Sequence, residues 1–302
     1  MTWTMMPSPQ QPTMLERLKY YLPFGKGGYP DVPASARASE AAVHGFASSG
    51  IKRYPSVGIF HLDTGYANIP GVASIDPNAE VVPRDFRMTP SYPDGMDHNP
   101  PYHGSAMAKC VGDILRAAGD YDFRMYGVKI GDDNRLDPFA IGAAVMWCCQ
   151  VARSVPQWRW VMLFEFPCDL PSVAMTALKP TLAANIPVVV PAGNNGSNID
   201  LNPVPAVIPP NVLVAAYCDA DGNLHPRSNY GPRQVQMAIP CKVGAGTSWS
   251  AAVGAAWATW VLAQNPASSA SQVVSRIIQA SLPNPTLVGK VGTGRYIRGV
   301  PG

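Results

Sequence analysis

Between residues 57 and 281 the chain alternates short apolar runs with longer stretches whose apolar residues recur every three or four positions. The short runs predict strands over 57–62, 122–130, 159–166, 186–191, 211–217 and 235–239. The longer stretches predict helices over 104–118, 138–153, 172–185, 248–264 and 270–281. Runs that are apolar throughout, as in VGIFHL, suit strands covered on both faces, so the pattern reads as βα units around a mostly parallel sheet. Pro180 is expected to kink or shorten the third helix, because its ring removes a backbone donor. Residues 1–45 are rich in Pro, Ser and Gly around one short helical stretch, 14–21, and read as an extension before a domain spanning 46–302.

Composition narrows the class. With 302 residues, 47% hydrophobic and 14% charged, the chain can bury a large core. A net charge of +3 without a long basic run argues against nucleic acid or an anionic membrane as partner. The six cysteines form no C-x-x-C and four sit in apolar runs, so neither a disulfide framework nor a zinc site is expected and a reducing compartment fits. The first thirty residues lack the basic and apolar regions of a secretory signal, and no apolar stretch reaches about 20 residues, which predicts a cytoplasmic or intracellular protein without a membrane span.

Chemistry is sought where each predicted strand ends, because ligands of open α/β sheets bind at the carboxyl ends of the strands. Four such places stand out. Asp63-Thr64-Gly65 follows the first strand; His103 opens a helix of small residues; Asn194 lies in Ala192-Gly193-Asn194-Asn195-Gly196; and Ser248 follows Gly246-Thr247 at a helix start. Each has an ordinary structural reading, as turn former or helix cap. Together they supply an acid, a base, an amide donor and a hydroxyl at a helix N-terminus, the groups acyl transfer needs, in the order Asp, His, Ser. His61 and His98 are rivals for the base, but neither precedes a Gly-led small-residue helix. Cys110, two turns beyond His103 on a similar face, is expected beneath the site as a packing residue.

The segments HLDTGYANIPGV, YHGSAMAKCVGDI, PVVVPAGNNGSN, RSNYGP and GAGTSWSAAVGAA resemble, in order, the conserved motifs of the subtilase family of serine proteases. The resemblance covers roughly residues 55–280 and implies a three-layer α/β/α subtilisin-like fold with a mostly parallel central sheet. It further implies a serine endopeptidase acting on protein or peptide, with Asp63, His103 and Ser248 as triad and Asn194 in the oxyanion hole. Glu165, Phe166, Ala192 and Gly193 match its substrate-binding segments. No cofactor is required; many subtilases bind calcium, but Asp132, Asp133, Asn134 and Asp137 lack a regular ligand spacing and read as a solvated turn.

The departures are specific. Ser105 to Lys109 replace the family's Thr-His-Val-Ala-Gly, Trp249 follows the serine, Ala252 stands where Pro is usual, and Glu165-Phe166-Pro167-Cys168 replaces Ser-Leu-Gly-Gly on the strand that pairs with substrate. Pro167 cannot donate a ladder hydrogen bond there. Glu165 near the primary pocket would favour Arg or Lys before the cut, although a glutamate in solvent or a salt bridge is the more ordinary reading. These changes keep two alternatives open: an inactive subtilase-like binding or scaffold domain, and a transacylase or peptide cyclase using the same triad. No segment before residue 57 looks like an inhibitory prodomain, so the domain either folds without one or belongs to a longer polypeptide.

Overall fold

The computed structural model describes residues 57–65, 84–85, 103–118, 123–132, 135–136, 138–166, 173–202, 207–241 and 244–297. The 1–45 extension with its 14–21 helix, His98, Asp133, Asn134, Asp137, Pro167 and Cys168 lie outside the described residues.

In chain order the elements are β1 (Val57–Asp63), β2 (Arg84–Asp85), α1 (His103–Ala118), β3 (Phe123–Lys129), β4 (Gly131–Asp132), β5 (Arg135–Leu136), α2 (Pro138–Ser154), β6 (Arg159–Phe164), α3 (Val173–Ala183) and β7 (Val188–Pro191). They continue with β8 (Val212–Cys218), β9 (Met237–Pro240), α4 (Thr247–Gln264), α5 (Ala270–Ala280), β10 (Leu282–Pro283) and β11 (Arg295–Tyr296). Nine strands form one sheet in the order β10-β11-β9-β8-β7-β6-β1-β3-β2, parallel except for β10 against β11. β4 and β5 make a separate antiparallel pair.

Both faces of the sheet are buried, as the unbroken apolar runs imply. Along β6, Trp160, Met162 and Phe164 enter one core with α2 and α3, while Val161 and Leu163 enter the other with α1, α4 and α5. The same alternation holds in β7 and β8, where Val188 and Val214 face the first core and Val189 and Leu213 the second. The result is α/β/α in three layers. Within the described residues every predicted strand and helix is present within about two residues; what the pattern missed are the two-residue strands, which are too short to carry a period.

Pro180 lies inside α3, which ends at Ala183, two residues short of the predicted end. Asn185 takes φ 57°, the left-handed conformation that closes a helix, and Ile186 N–H reaches back 2.9 Å to the Thr181 carbonyl.

Helix α4 has no charged residue and is apolar on all sides, because it packs on β6 to β9 beneath it and on α1 and α5 beside it. Ala252, where the family usually has Pro, is fully buried in its unbroken second turn. Gly254 lets the helix sit close to the sheet: a Cβ there would lie 3.0 Å from Val189 Cγ1 and 3.1 Å from Ile239 Cδ1. Among the described residues no helix is long and apolar enough to cross a membrane.

Gly254→Leu should therefore lift α4 from the sheet and lower stability by about 1–3 kcal/mol. Gly142→Ala, on α2 with nothing within 4 Å of the added carbon, should instead be neutral or stabilising by up to about 1 kcal/mol. Urea unfolding midpoints check both.

Candidate active site

The parallel order brings the carboxyl ends of β1, β6 and β7 side by side, and three of the four singled-out segments leave from or dock against them. Asp63 is the last residue of β1 and His103 the first of α1. Imidazole Nδ1 lies 2.9 Å from Oδ1 and 3.0 Å from Oδ2 of the carboxylate. That contact requires α1 to begin almost on top of the strand end, which Gly104 permits: a Cβ would lie 2.2 Å from the Gly65 carbonyl oxygen. The Gly104 N–H, a helix-end donor, goes to Thr64 Oγ1 at 3.1 Å.

Asp63 is 2% exposed and His103 33% in their side chains, so the acid is sealed while the base has a route to solvent. The Thr64 N–H donates to Asp63 Oδ1 at 2.6 Å and His61 Nε2 lies 3.1 Å from Oδ2. Burial alone would raise the Asp63 pKa, but the charge and hydrogen bond of His103, joined by His61, outweigh it and hold the carboxyl well below the usual carboxylate range. His61, weighed in the sequence only as a rival base, is instead a second partner of the acid.

Ser248 is the second residue of α4 and half-buried. No side chain of its own segment caps this helix: Gly246 at the cap, with φ 131°, offers none. Asn194 does so from the β7 exit. Its Oδ1 accepts from Thr247 N at 2.9 Å and from Thr247 Oγ1 at 3.2 Å. With the carbonyl end of the amide fixed by two donors, the NH2 end is the one left to face outward beside the helix N-terminus. Thr247 Oγ1 also receives the Gly193 N–H at 3.1 Å, so the two segments are tied at three points.

The loop that presents Asn194 is held from behind by Asn229, fully buried in the RSNYGP turn. Asn229 Oδ1 accepts from Asn195 N and Ser197 N, each at 3.0 Å, its Nδ2 donates to the Ala192 carbonyl at 3.0 Å, and its backbone N–H donates to the Gly193 carbonyl at 2.8 Å. The Ser-Asn-x-Gly motif marked this turn in the sequence; the clamp it forms is visible only in three dimensions.

Of the residues matched to substrate binding, Ala192 and Gly193 thus have backbone groups engaged with Asn229 and Thr247, and Phe166 puts its ring in the core against Phe164. Glu165 differs from the ordinary reading of the sequence, a glutamate in solvent or a salt bridge. It is neither solvent-facing nor salt-bridged: the residue is 4% exposed, its N–H pairs with the Leu62 carbonyl at 3.0 Å, and neither carboxyl oxygen makes a hydrogen bond. One ligand atom from each of Asp63, His103 and Glu165 lies within 4.8 Å of the other two. Burial, reinforced by the Asp63 charge, pushes the Glu165 carboxyl well above its ordinary pKa, against an opposing pull from His103 and from the Ser248 hydroxyl, which lies near the carboxyl without making a well-formed hydrogen bond to it. Cys110 lies beneath, buried and close enough to feel the Glu165 charge; its thiol is pushed up chiefly by Cys241 and by burial.

The altered residues after His103 serve packing and an ion pair on the helix surface. Met107 and Ala108 are core, and Lys109 pairs with Asp113 one turn on. Trp249 packs at the edge of the α1–α4–α5 core, over Gly244.

No protein-family model and no curated protein sequence matches this chain. Solved structures do. The A-subunit of the AB5 toxin from E. coli superposes with a TM-score of 0.63 at 18% identity over 81% of this chain and 90% of that one. A cold-adapted subtilisin-like serine proteinase gives 0.58 at 16% identity over 80% and 88%. A lanthipeptide protease gives 0.58 at 18% identity over 80% and 85%. Identity this low speaks for the fold: the chain has the subtilisin-like α/β/α fold.

Proposed function

We propose that this chain is a subtilase, a serine endopeptidase that cleaves protein or peptide substrates through an acyl-enzyme. The observation that carries the reading is the two-oxygen contact of buried Asp63 with Nδ1 of His103. An ionised carboxylate on Nδ1 fixes that nitrogen as the N–H donor, which leaves Nε2 as the basic nitrogen. Ser248 Oγ then attacks the scissile carbonyl as His103 takes its proton. His103 returns the proton to the departing amine, and water repeats the attack on the ester. Asp63 stays ionised and stabilises the imidazolium throughout.

The oxyanion forms at the α4 N-terminus, where the Ser248 N–H and the Asn194 NH2 are the donors and the helix dipole favours negative charge. Protein or peptide fits as substrate class because the structural relatives include a lanthipeptide protease, a subtilisin-like proteinase and a toxin subunit. The peptidase domain of this reading spans residues 46–302, with residues 1–45 an extension before it.

A fluorophosphonate probe should label wild-type protein at Ser248, with labelling abolished in Ser248→Ala and strongly reduced in His103→Ala, as read by peptide mapping. Folded wild type that stays unlabelled would establish the binding-domain alternative instead. Product masses, cleaved against cyclised, separate hydrolysis from the acyl-transfer alternative.

Asn194 offers a sharper substitution. Asn194→Asp retains the oxygen that caps Thr247 but replaces the donor with an acceptor, so kcat should fall by about 10²–10³-fold or more while the melting temperature stays near wild type. Asn194→Ala should lose both, with an added cost of about 1 kcal/mol for the missing cap. Unchanged kcat in Asn194→Asp would remove Asn194 from the oxyanion hole.

A further inference from the structure

The end of β1 gathers more acid than a proton relay uses. Asp63 already orients His103 with both oxygens, and Thr64 and His61 complete its partners. Glu165 brings a second carboxyl to the same place, nine-tenths buried or more, with both oxygens free of hydrogen bonds. A glutamine or an apolar side chain would fill that volume without leaving a carboxyl unsatisfied. Among the described residues no cation is hydrogen-bonded to that carboxyl, and Nδ1 of His103 is engaged by Asp63.

One nitrogen and two carboxylate oxygens converging within 4.8 Å make a donor set suited to a borderline divalent cation, Zn²⁺ above all. Calcium and magnesium fit less well, since they call for six or more oxygens and do not favour imidazole. A dication also offsets the two negative charges that Asp63 and an ionised Glu165 would otherwise hold side by side. The one-third exposed imidazole marks the way in.

We propose that Asp63, His103 and Glu165 form a binding site for Zn²⁺ or a similar divalent transition-metal ion, and that the bound ion holds the catalytic base out of use. The exchange balances simply: Glu165 gives its proton to solvent, the two carboxylates each donate an oxygen lone pair, and Nδ1 of His103, which faces Asp63, donates its pair as its proton moves to Nε2, leaving Nε2 no pair with which to take the Ser248 proton. No redox step is involved. The inhibitory half of the inference rests on the peptidase reading; the binding half does not.

The test is isothermal titration of ZnCl₂ into the full chain carrying Ser248→Ala, which keeps all three ligands and cannot turn over. One saturable site is expected, reversed by EDTA and weakened at least tenfold when Glu165→Gln is added. His103→Ala should weaken it likewise, and circular dichroism with a melting curve establishes that each variant is folded. If Glu165→Gln does not fold, Glu165→Asp, with its shorter reach, provides the second comparison and should also bind more weakly. Absence of a saturable site, or equal affinity with and without Glu165, overturns the proposal. In catalytically competent protein Zn²⁺ should suppress peptide hydrolysis, and Glu165→Gln should resist it relative to its own uninhibited rate. Should Ser248 prove unreactive towards the serine probe, the binding isotherm still stands or falls by itself.

Discussion

A buried carboxylate facing a partly exposed imidazole is the contact around which the site is arranged. An ionised Asp63 at 2% exposure would be prohibitive without donors, and the chain supplies them from three directions: His103 from α1, His61 from two residues back on the same strand, and the backbone of Thr64. Meeting that demand dictates where α1 starts. Its first residue has to reach the end of β1, and the only backbone that can follow so close to Gly65 is one without a Cβ, at Gly104. The Asp63–His103 distance is therefore a property of how helix and strand pack, and a larger residue at Gly104 would disturb it without touching either side chain.

The nucleophile depends on a second arrangement of the same kind. α4 is buried on almost every side, so its position is set by packing against the sheet and by Gly254. Its N-terminus, however, lacks a local cap, and the missing acceptor comes from Asn194, more than fifty residues earlier. That arrangement couples helix capping to side-chain orientation: the oxygen that stabilises α4 fixes which end of the amide is left to face outward. Asn229 secures the loop behind it with backbone partners on both sides of Asn194. Two asparagines thus hold the oxyanion side, one pointing into the helix and one into the core.

The layers, the strand ends and the four singled-out segments could be read from the sequence because each leaves a local mark. Apolar runs such as VVVP and RWVMLF mark strands buried on both faces, and a Gly-rich turn follows the first of these. The role of His61 was not legible, since a histidine in an apolar strand looks the same whether it faces a carboxylate or only packs. Nor was the inward turn of Glu165. Its neighbours Leu62 and Asp63 are a hundred residues away in sequence and adjacent only through the β1–β6 register. A charged residue after a strand normally turns to solvent, and no local pattern signals that this one turns towards the site.

Asp63 and Glu165 lie at similar depth at neighbouring strand ends, and burial raises the proton affinity of both; the charge and hydrogen bonds of His103 and His61 reverse that at Asp63, whereas the Asp63 charge reinforces it at Glu165. This difference constrains the chemistry. An ionised Glu165 next to the forming oxyanion at Ser248 would oppose the charge that Asn194 and the α4 N-terminus are placed to stabilise. If the chain is the peptidase proposed above, its triad works beside Glu165 only while that carboxyl is neutral. A proton neutralises it and leaves His103 free; a metal ion neutralises it and takes His103 as a ligand. In that reading the residue that departs most from the family's substrate strand decides whether His103 is available as a base.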